Sequence, residues 1–184
     1  MAKMDKERIE RAVREILLAI GENPEREGLK ETPRRVAEAL EEMLAGYERE
    51  EDDFTVFSEN LNETIILKDI PFFSFCEHHL LPFIGKAHIA YIPNGKIAGV
   101  SKLVRTVEKH ARRLQVQERL TREIANELWE KLQPKGLLVL MEAEHLCMTL
   151  RGVKSPGSIV TTMEGRGIYE EETARNIILE ILKK

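Results

Sequence analysis

The spacing of hydrophobic residues changes near Phe54, from a helical period to the shorter alternation that is typical of β-strands. Before that point, apolar side chains recur at helical spacing and predict an amphipathic helix over residues 5–20. Thr32-Pro33 predicts the start of a second helix, because threonine caps helices and proline fits the first helical position. We expect that helix to end at residues 46–47, and we interpret the mostly acidic residues 48–53 as a solvated linker.

After Phe54, the pattern changes to short β segments around two helices, with a core order of ββααββ followed by a terminal helix. Strands are predicted over residues 64–67, 86–92, 97–100, 137–143, 147–150 and 159–163, and helices over residues 103–114, 120–132 and 174–182. The segment Pro93-Asn94-Gly95-Lys96 predicts a hairpin turn, and Ser101 is expected to cap the helix that follows. This order predicts an α+β domain with helices on one face of an antiparallel sheet. Its strands carry apolar residues on both sides, so we expect a partner subunit on the other face.

Composition excludes several classes of partner. The chain has 184 residues and a net charge of -4, so no overall positive field favours nucleic acid or an acidic membrane surface. No apolar run approaches the roughly 20 residues that span a bilayer. Residues 1–14 are charged and lack the apolar core of a signal peptide, so we expect a cytoplasmic location. Any bound anion must therefore be held by local cations.

Both cysteines and three of the five histidines lie in two short windows, Cys76-Glu77-His78-His79 and His145-Leu146-Cys147. Thiolate and imidazole are the side chains that bind zinc and transfer protons near neutral pH. On the predicted strand, alternation directs the side chains of His145 and Cys147 to the same face. We favour Cys76, His79 and Cys147 as zinc ligands, because three protein ligands leave the fourth position open to water, as in catalytic zinc sites.

Other interpretations of these two windows remain open. His78 could replace His79 as the ligand, since spacing does not separate adjacent histidines. The donors could also form a closed, four-ligand structural site, or have no connection with a metal. A Cys76–Cys147 disulfide is disfavoured in a reducing compartment. Under the catalytic interpretation, His78 and His145 are free to accept and return protons.

A second group of residues is suited to an anion. Lys102 and Arg105 lie in the first turns of the helix that Ser101 is predicted to cap, where helix N–H groups favour negative charge. Arg151 follows the second metal window and could share a pocket with these cations. In Gln117-Glu118-Arg119, the Glu118 carboxylate could accept two hydrogen bonds from a base edge such as that of guanine. Without further information, however, Glu118 is a surface residue.

Five segments of the chain, in order and at compatible spacing, resemble the GTP cyclohydrolase I family. They cover residues 28–36, 76–93, 99–103, 111–120 and 145–148, and the overall similarity runs from about Ile9 to the final helix. The resemblance implies a tunnelling fold (T-fold), α+β, with a four-stranded antiparallel sheet and two helices on one face. We therefore expect an N-terminal helical segment over residues 1–53 and a T-fold catalytic domain over residues 54–184.

The resemblance also implies an activity and an assembly. Members of the family convert GTP and water to 7,8-dihydroneopterin triphosphate and formate, the first step of folate or tetrahydropterin biosynthesis. The family forms toroidal homodecamers with active sites between subunits. The implied partners are therefore GTP and other copies of the chain, and the implied cofactor is Zn²⁺.

The resemblance assigns a role to each candidate residue. It implies that Cys76, His79 and Cys147 bind zinc, and that His78 and His145 transfer protons. Glu118 is implied to recognise guanine, with Gln117 adjacent to it. The triphosphate is implied to bind a basic set with a neighbouring serine; these residues are Ser101, Lys102, Arg105, Arg151 and, from another subunit, Arg119.

Two rival functions remain at this point. Another T-fold enzyme could act on a pterin or a deazaguanine, but Lys102, Arg105 and Arg151 suit a triphosphate better. The chain could instead be a zinc-stabilised, non-catalytic module. Removal of a structural metal unfolds a protein, whereas removal of a catalytic metal mainly abolishes activity.

Overall fold

The computed structural model describes residues 4–48 and 54–182, which divide into two units, one within Met1–Arg49 and one within Glu50–Lys184. In the first unit, helix α1 (Lys6–Ala19) packs against helix α2 (Thr32–Met43). The Asp5 carboxylate caps α1 by accepting a hydrogen bond from the backbone N–H of Arg8 at 2.9 Å. Helix α2 begins one residue earlier than predicted, after Glu31, and Pro33 lies in its first turn. Of the predicted linker, only Glu48 lies within the described residues.

The second unit contains seven strands and four α-helices among the described residues. The strands are β1 (Val56–Ser58), β2 (Ile65–Cys76), β3 (Leu81–Ile92), β4 (Lys96–Ala98), β5 (Leu114–Gln115), β6 (Gly136–His145) and β7 (Ile159–Gly167). The helices are α3 (Val100–Ala111), α4 (Gln117–Leu132), α5 (Leu146–Thr149) and α6 (Glu172–Leu182). The main sheet has the order β5-β2-β3-β6-β7, in which only the two-residue β5 pairs in parallel. The predicted α+β class, with a sheet of four antiparallel strands, is confirmed.

Helices α3 and α4 cover one face of this sheet and form the main core with it. Alternate residues of the central strands point towards the helices, as the period of a β-strand requires. The buried residues of this core include Leu103, Val107, Leu120, Ile124, Leu128, Phe83, Ile89, Tyr91, Val139 and Met141. The main core therefore fixes the ends of β2, β3 and β6 relative to the start of α4.

The opposite face of the sheet is covered in part by the end of the chain. Tyr169 and Ile178 pack against Ala90 and Leu138 in a second, smaller core. Farther along that face, Ile84 and Ile159 remain 54% and 55% exposed. The C-terminal helix thus covers one end of the face that the sequence analysis assigned to a partner.

Three local predictions were wrong. Residues 97–100 do not form a hairpin with β3, because β4 pairs with β1 and the Ala98 N–H donates to the Tyr91 hydroxyl at 3.1 Å. Residues 147–150 are not a strand, because residues 146–149 form the short helix α5. Ser101 does not cap α3, since the helix starts at Val100 after Gly99.

Candidate active site

The first metal window lies in the turn between β2 and β3. Cys76 ends β2, and its carbonyl accepts hydrogen bonds from the backbone N–H groups of His79 (3.3 Å) and Leu80 (2.9 Å). Leu80 adopts a positive φ of 53°, which closes the turn and returns the chain into β3. This turn brings the Nδ1 atom of His79 to 3.6 Å from the Sγ atom of Cys76.

The second window reaches the same place from the end of β6. His145 pairs in register with Phe83, which lies near the start of β3. Phe83 thus follows the turn between β2 and β3, residues 76–80, which we call the metal turn. Because α5 begins immediately after His145, Cys147 lies on a helical turn, and the predicted alternation of His145 and Cys147 along a strand was wrong. The donor atoms of Cys76, His79 and Cys147 nevertheless all lie within 4.8 Å of one another. Both cysteines are free, so the structure contains no disulfide between them.

The three donors fit a tetrahedral ion of the zinc type. Ligand atoms at 2.0–2.3 Å from such an ion are separated from one another by roughly 3.3–3.8 Å, close to the 3.6 Å between Cys76 Sγ and His79 Nδ1. Among the described residues, this is the only such group of three or more Cys, His, Asp or Glu donors, and it includes neither His78 nor His145. Cys76 is buried and His79 is exposed, so one side of the group faces solvent. A three-donor group with an open side has the arrangement of a catalytic site.

Burial and the neighbouring thiol of Cys76 raise the pKa of Cys147. Ionisation of both thiols is therefore disfavoured unless a cation offsets the negative charge of the two thiolates. A divalent ion does so, because it binds the thiolate form and releases the proton.

His145 is held on two sides next to this group. Its ring stacks on Phe83 with a centroid distance of 4.5 Å and an interplanar angle of 2°. Its Nε2 atom lies 2.8 Å from the Oε1 atom of Gln117. Burial lowers the pKa of His145, and the negative charge of Glu118 opposes this in part. A neutral imidazole at pH 7 is able to accept a proton.

His78 lies in the metal turn itself and is exposed. Its Nδ1 atom is 3.8 Å from the Sγ atom of Cys76, and its Nε2 atom is 4.0 Å from the Glu77 carboxylate. An exposed imidazole at the edge of the site can exchange protons with solvent.

The start of α4 carries Gln117, Glu118 and Arg119 to the same end of the sheet. Glu118 is exposed, whereas Gln117 is 1% exposed. Arg119 forms an ion pair with Glu77, and its Nε atom donates to the Oε1 atom of Gln115 at 2.9 Å. This ion pair keeps the pKa of Glu77 below its usual value. Arg119 thus ties α4 to the metal turn within one chain.

The predicted cations divide into two groups. The Nη1 atom of Arg151 lies 3.0 Å from the Nε2 atom of His79, at the metal group. The start of α3, with Ser101 and Lys102, lies near Tyr91, at the opposite end of the sheet. About ten residues of β3, or roughly 33 Å, separate Tyr91 from the metal turn. Within one chain, the start of α3 therefore does not reach the group formed by Cys76, His79 and Cys147. Arg105 lies only about one helical turn closer to that group than Lys102 does.

Three residues of the site were missed by sequence reasoning. They are Phe83, which stacks on His145, and Glu77 and Gln115, which bind Arg119. Phe83 could have been found, because strand alternation directs it towards the core from the start of β3. The partners of Arg119 depend on the parallel pairing of β5 with β2, for which the sequence has no signal.

Two further observations concern the rest of the described chain. A groove of about 380 Å³ between α3 and α4 is lined mainly by charged residues, including His110, Glu123 and Glu127, and by none of the predicted site residues. No helix within residues 4–48 or 54–182 is long and apolar enough to cross a membrane.

Comparison with known proteins shows which family this chain is similar to. The profile of the family described as GTP cyclohydrolase I matches residues 9–183. Three similar proteins, each named GTP cyclohydrolase 1, come from Streptococcus agalactiae serotype Ia, Carboxydothermus hydrogenoformans and Halalkalibacterium halodurans. Their identities are 52%, 56% and 51%, and they cover 98%, 93% and 100% of this chain. The aligned regions cover 98%, 91% and 100% of the relatives.

The fold is also similar to that of a crystal structure of the archaeosine synthase QueF-Like in its apo form. The TM-score is 0.50 at 16% identity, over 59% of this chain and 97% of the other. At that identity, the likeness concerns the fold alone.

Proposed function

Because this chain belongs to the GTP cyclohydrolase I family, we propose that it converts GTP and water to 7,8-dihydroneopterin triphosphate and formate at a zinc site. That it is an enzyme acting on GTP follows from the family itself. The observation that carries the finer proposal is the convergence of Cys76, His79 and Cys147, whose donor atoms lie within 4.8 Å of one another. We further propose that it works in the cytoplasm, in the first step of folate or tetrahydropterin biosynthesis.

Zinc is proposed to bind Cys76, His79 and Cys147. Two sulfurs and one imidazole nitrogen are a donor set that favours Zn²⁺ over harder ions such as Mg²⁺. When bound in an open site of this kind, zinc supplies Lewis acidity that favours the ionisation of water near neutral pH.

The two remaining histidines are proposed to move protons. His145 is half-buried, neutral at rest and fixed by Phe83 and Gln117. This suits a group that first takes a proton from the attacking water and then passes it to a purine ring nitrogen. His78 is exposed in the same turn and suits proton exchange with solvent during the later opening and reclosure of the ribose. The two histidines thus serve the buried and the open side of the site.

Both ends of GTP are proposed to be held by charged groups. The Glu118 carboxylate accepts hydrogen bonds from the guanine edge, in the region of Gln117. Arg151, at the metal group, binds the triphosphate together with Lys102, Arg105, Arg119 and the neighbouring Ser101. Fixing both ends of the nucleotide holds the reacting carbon of the purine beside the metal.

The active site is proposed to form between subunits of a homodecamer. In one chain, Ser101 and Lys102 lie at the end of the sheet opposite to the metal turn. A second copy that brings its own α3 to this turn would complete the triphosphate site. The proposed number of ten subunits is taken from the family.

The central experiment is incubation of the purified protein with GTP. We expect formate and, after oxidation, a fluorescent pterin, both lost after chelation of the metal while the circular dichroism spectrum is retained. Release of neither product would contradict the proposed reaction. Unfolding on chelation would favour the non-catalytic zinc module, and turnover of a deazaguanine or pterin in place of GTP would favour the other T-fold enzymes.

A further inference from the structure

On the premise of the proposed function, we propose that Gln117 is a positioning residue for His145. It holds the imidazole in the tautomer that carries its hydrogen on Nε2. The Nδ1 atom of His145 is then the atom that exchanges protons with the substrate. Gln117 thereby acts through His145 and does not contact GTP.

The side-chain amide of Gln117 is fully buried and bonded at both ends. The residue is 1% exposed. Its Nε2 atom lies 3.1 Å from the carbonyl oxygen of Met141 and 2.9 Å from that of Val160. Its Oε1 atom lies 2.8 Å from Nε2 of His145. The amide therefore connects the imidazole of His145 to the backbone of β6 and β7.

The orientation of this amide is fixed by what its nitrogen faces. Backbone carbonyls only accept hydrogen bonds, so the group facing Met141 and Val160 must be the NH₂ donor. A flipped amide would turn Oε1 towards two carbonyl oxygens, and since neither side of such a contact carries a hydrogen, both hydrogen bonds would be lost.

Two threonines support the same orientation. The hydroxyl of Thr121 donates to the backbone carbonyl of Gln117 at 2.8 Å, so its single hydrogen is already used. Thr162 lies 2.6 Å from Thr121 and must therefore be the donor between the two hydroxyls. The Thr162 oxygen remains an acceptor for Nε2 of Gln117, at 3.1 Å.

The tautomer of His145 follows from this orientation. Because Oε1 of Gln117 has no hydrogen, Nε2 of His145 must be the donor across the 2.8 Å contact. A neutral imidazole carries one ring hydrogen, so Nδ1 retains its lone pair. Stacking on Phe83, with ring planes 2° apart, fixes the plane of the ring. The hydrogen bond and the stack together define where the basic atom lies.

A direct contact between Gln117 and guanine is the alternative that the family resemblance suggested. That contact would need an amide hydrogen or oxygen that is not already engaged. The two amide hydrogens face three acceptors in the protein, and Oε1 accepts from His145. A role in positioning therefore fits the contacts better.

The test compares Gln117→Met with Thr162→Val in the zinc-loaded protein. Methionine has a similar length but no strong acceptor for His145, whereas Thr162→Val leaves the contact with His145 intact. For Gln117→Met we expect kcat to fall about 100-fold or more, the scale of a positioned acid–base group, with KM for GTP and zinc content nearly unchanged. For Thr162→Val we expect kcat to fall much less. A tenfold or greater rise in KM with unchanged kcat in Gln117→Met would overturn the proposal, as would unchanged kinetics.

A measurement on the wild-type protein tests the tautomer without any substitution in the network. In zinc-loaded protein labelled with ¹⁵N-histidine, we expect the neutral His145 ring to carry its hydrogen on Nε2, with the signal assigned by its absence in His145→Asn. Hydrogen on Nδ1 would overturn the proposal whether or not GTP is turned over. Failure of the wild type to convert GTP, with hydrogen on Nε2, would instead contradict the proposed function.

Discussion

At the scale of single residues, the candidate metal ligands are distinct from the histidine proposed to transfer protons. The group of Cys76, His79 and Cys147 lies next to an imidazole, His145, that has its own support from Phe83 and Gln117. Removal of His145 therefore need not disturb the metal ligands. That separation makes the two roles distinguishable by experiment.

The first prediction concerns His145→Ala. We expect formation of the pterin to fall by about 10²–10⁴-fold, the usual range for loss of a general acid–base group. Zinc content, measured by atomic absorption, should stay near one ion per chain, because a methyl group at this position leaves all three proposed ligands in place. Loss of zinc in parallel with activity would instead make His145 a ligand.

The second prediction concerns Glu118→Gln. The amide retains the size of the side chain but loses the charge and one acceptor for the guanine edge. We expect the preference for GTP over ATP, measured as the ratio of kcat/KM values, to fall by about tenfold to a hundredfold. Unchanged base selectivity would remove Glu118 from this role. The fold should be unaffected, since Glu118 is exposed.

At the scale of elements, hydrophobic periodicity predicted the long helices and the central strands, but it did not predict how the short strands pair. The turn at Pro93-Asn94-Gly95-Lys96 does end β3, yet the next strand pairs with β1. A turn signal is local, whereas the choice of partner depends on contacts distant in sequence. The four residues of α5 are too few for periodicity to distinguish a helix from a strand.

The candidate site was predictable to a similar extent. Cys76, His79 and Cys147 could be predicted because the chemistry of zinc ligands restricts the residue types and the chain has few of them. The burial of Gln117 could not, because its partners come from the backbone of β6 and β7. Nor could the distance between Lys102 and the metal turn, which depends on the direction in which α3 crosses the sheet.

The third prediction concerns His88 on β3, on the sheet face opposite to α3 and α4. Its Nδ1 atom accepts a hydrogen bond from the backbone N–H of Asp69 at 3.2 Å, and the residue is 5% exposed. Burial lowers the pKa of His88; the carboxylates of Asp69 and Glu142 oppose this shift, and the charges of Lys68 and Lys86 add to it. The unfolded chain therefore binds this proton more readily than the folded chain does, and stability is lost as the pH falls below the unfolded value of about 6.5.

We expect the free energy of unfolding to decrease between pH 7.5 and 5.5, with a contribution from His88 of at most about 1.4 kcal/mol per pH unit, the limit for one proton. Asparagine can accept the same hydrogen bond but does not titrate. The slope should therefore be smaller in His88→Asn, measured by urea denaturation at several pH values. Parallel curves for the two proteins would contradict this assignment.

At the scale of the whole molecule, the separation of the start of α3 from the metal turn makes a shared site testable. Lys102→Ala and His145→Ala remove side chains at opposite ends of one chain. Each variant alone is expected to be inactive, because each lacks one proposed component in every site. If each site takes its two halves from different chains, random mixed oligomers should regain activity at roughly one site in four. Co-expression with two affinity tags, followed by assay of the doubly purified oligomers, measures this. Doubly tagged oligomers without activity would favour sites that lie within one chain.

The ion pair between Arg119 and Glu77 bears on the length of the heterocycle that the enzyme can accept. Arg119 directly follows Glu118, proposed to bind the base, and Glu77 directly follows Cys76, proposed to bind the metal. Two peptide bonds and one ion pair thus link the residue proposed to bind the base to a proposed metal ligand. Under the proposed function, this link restrains the distance between the two groups, so a nucleotide with a longer or shorter heterocycle would place its reacting carbon away from the metal ligands.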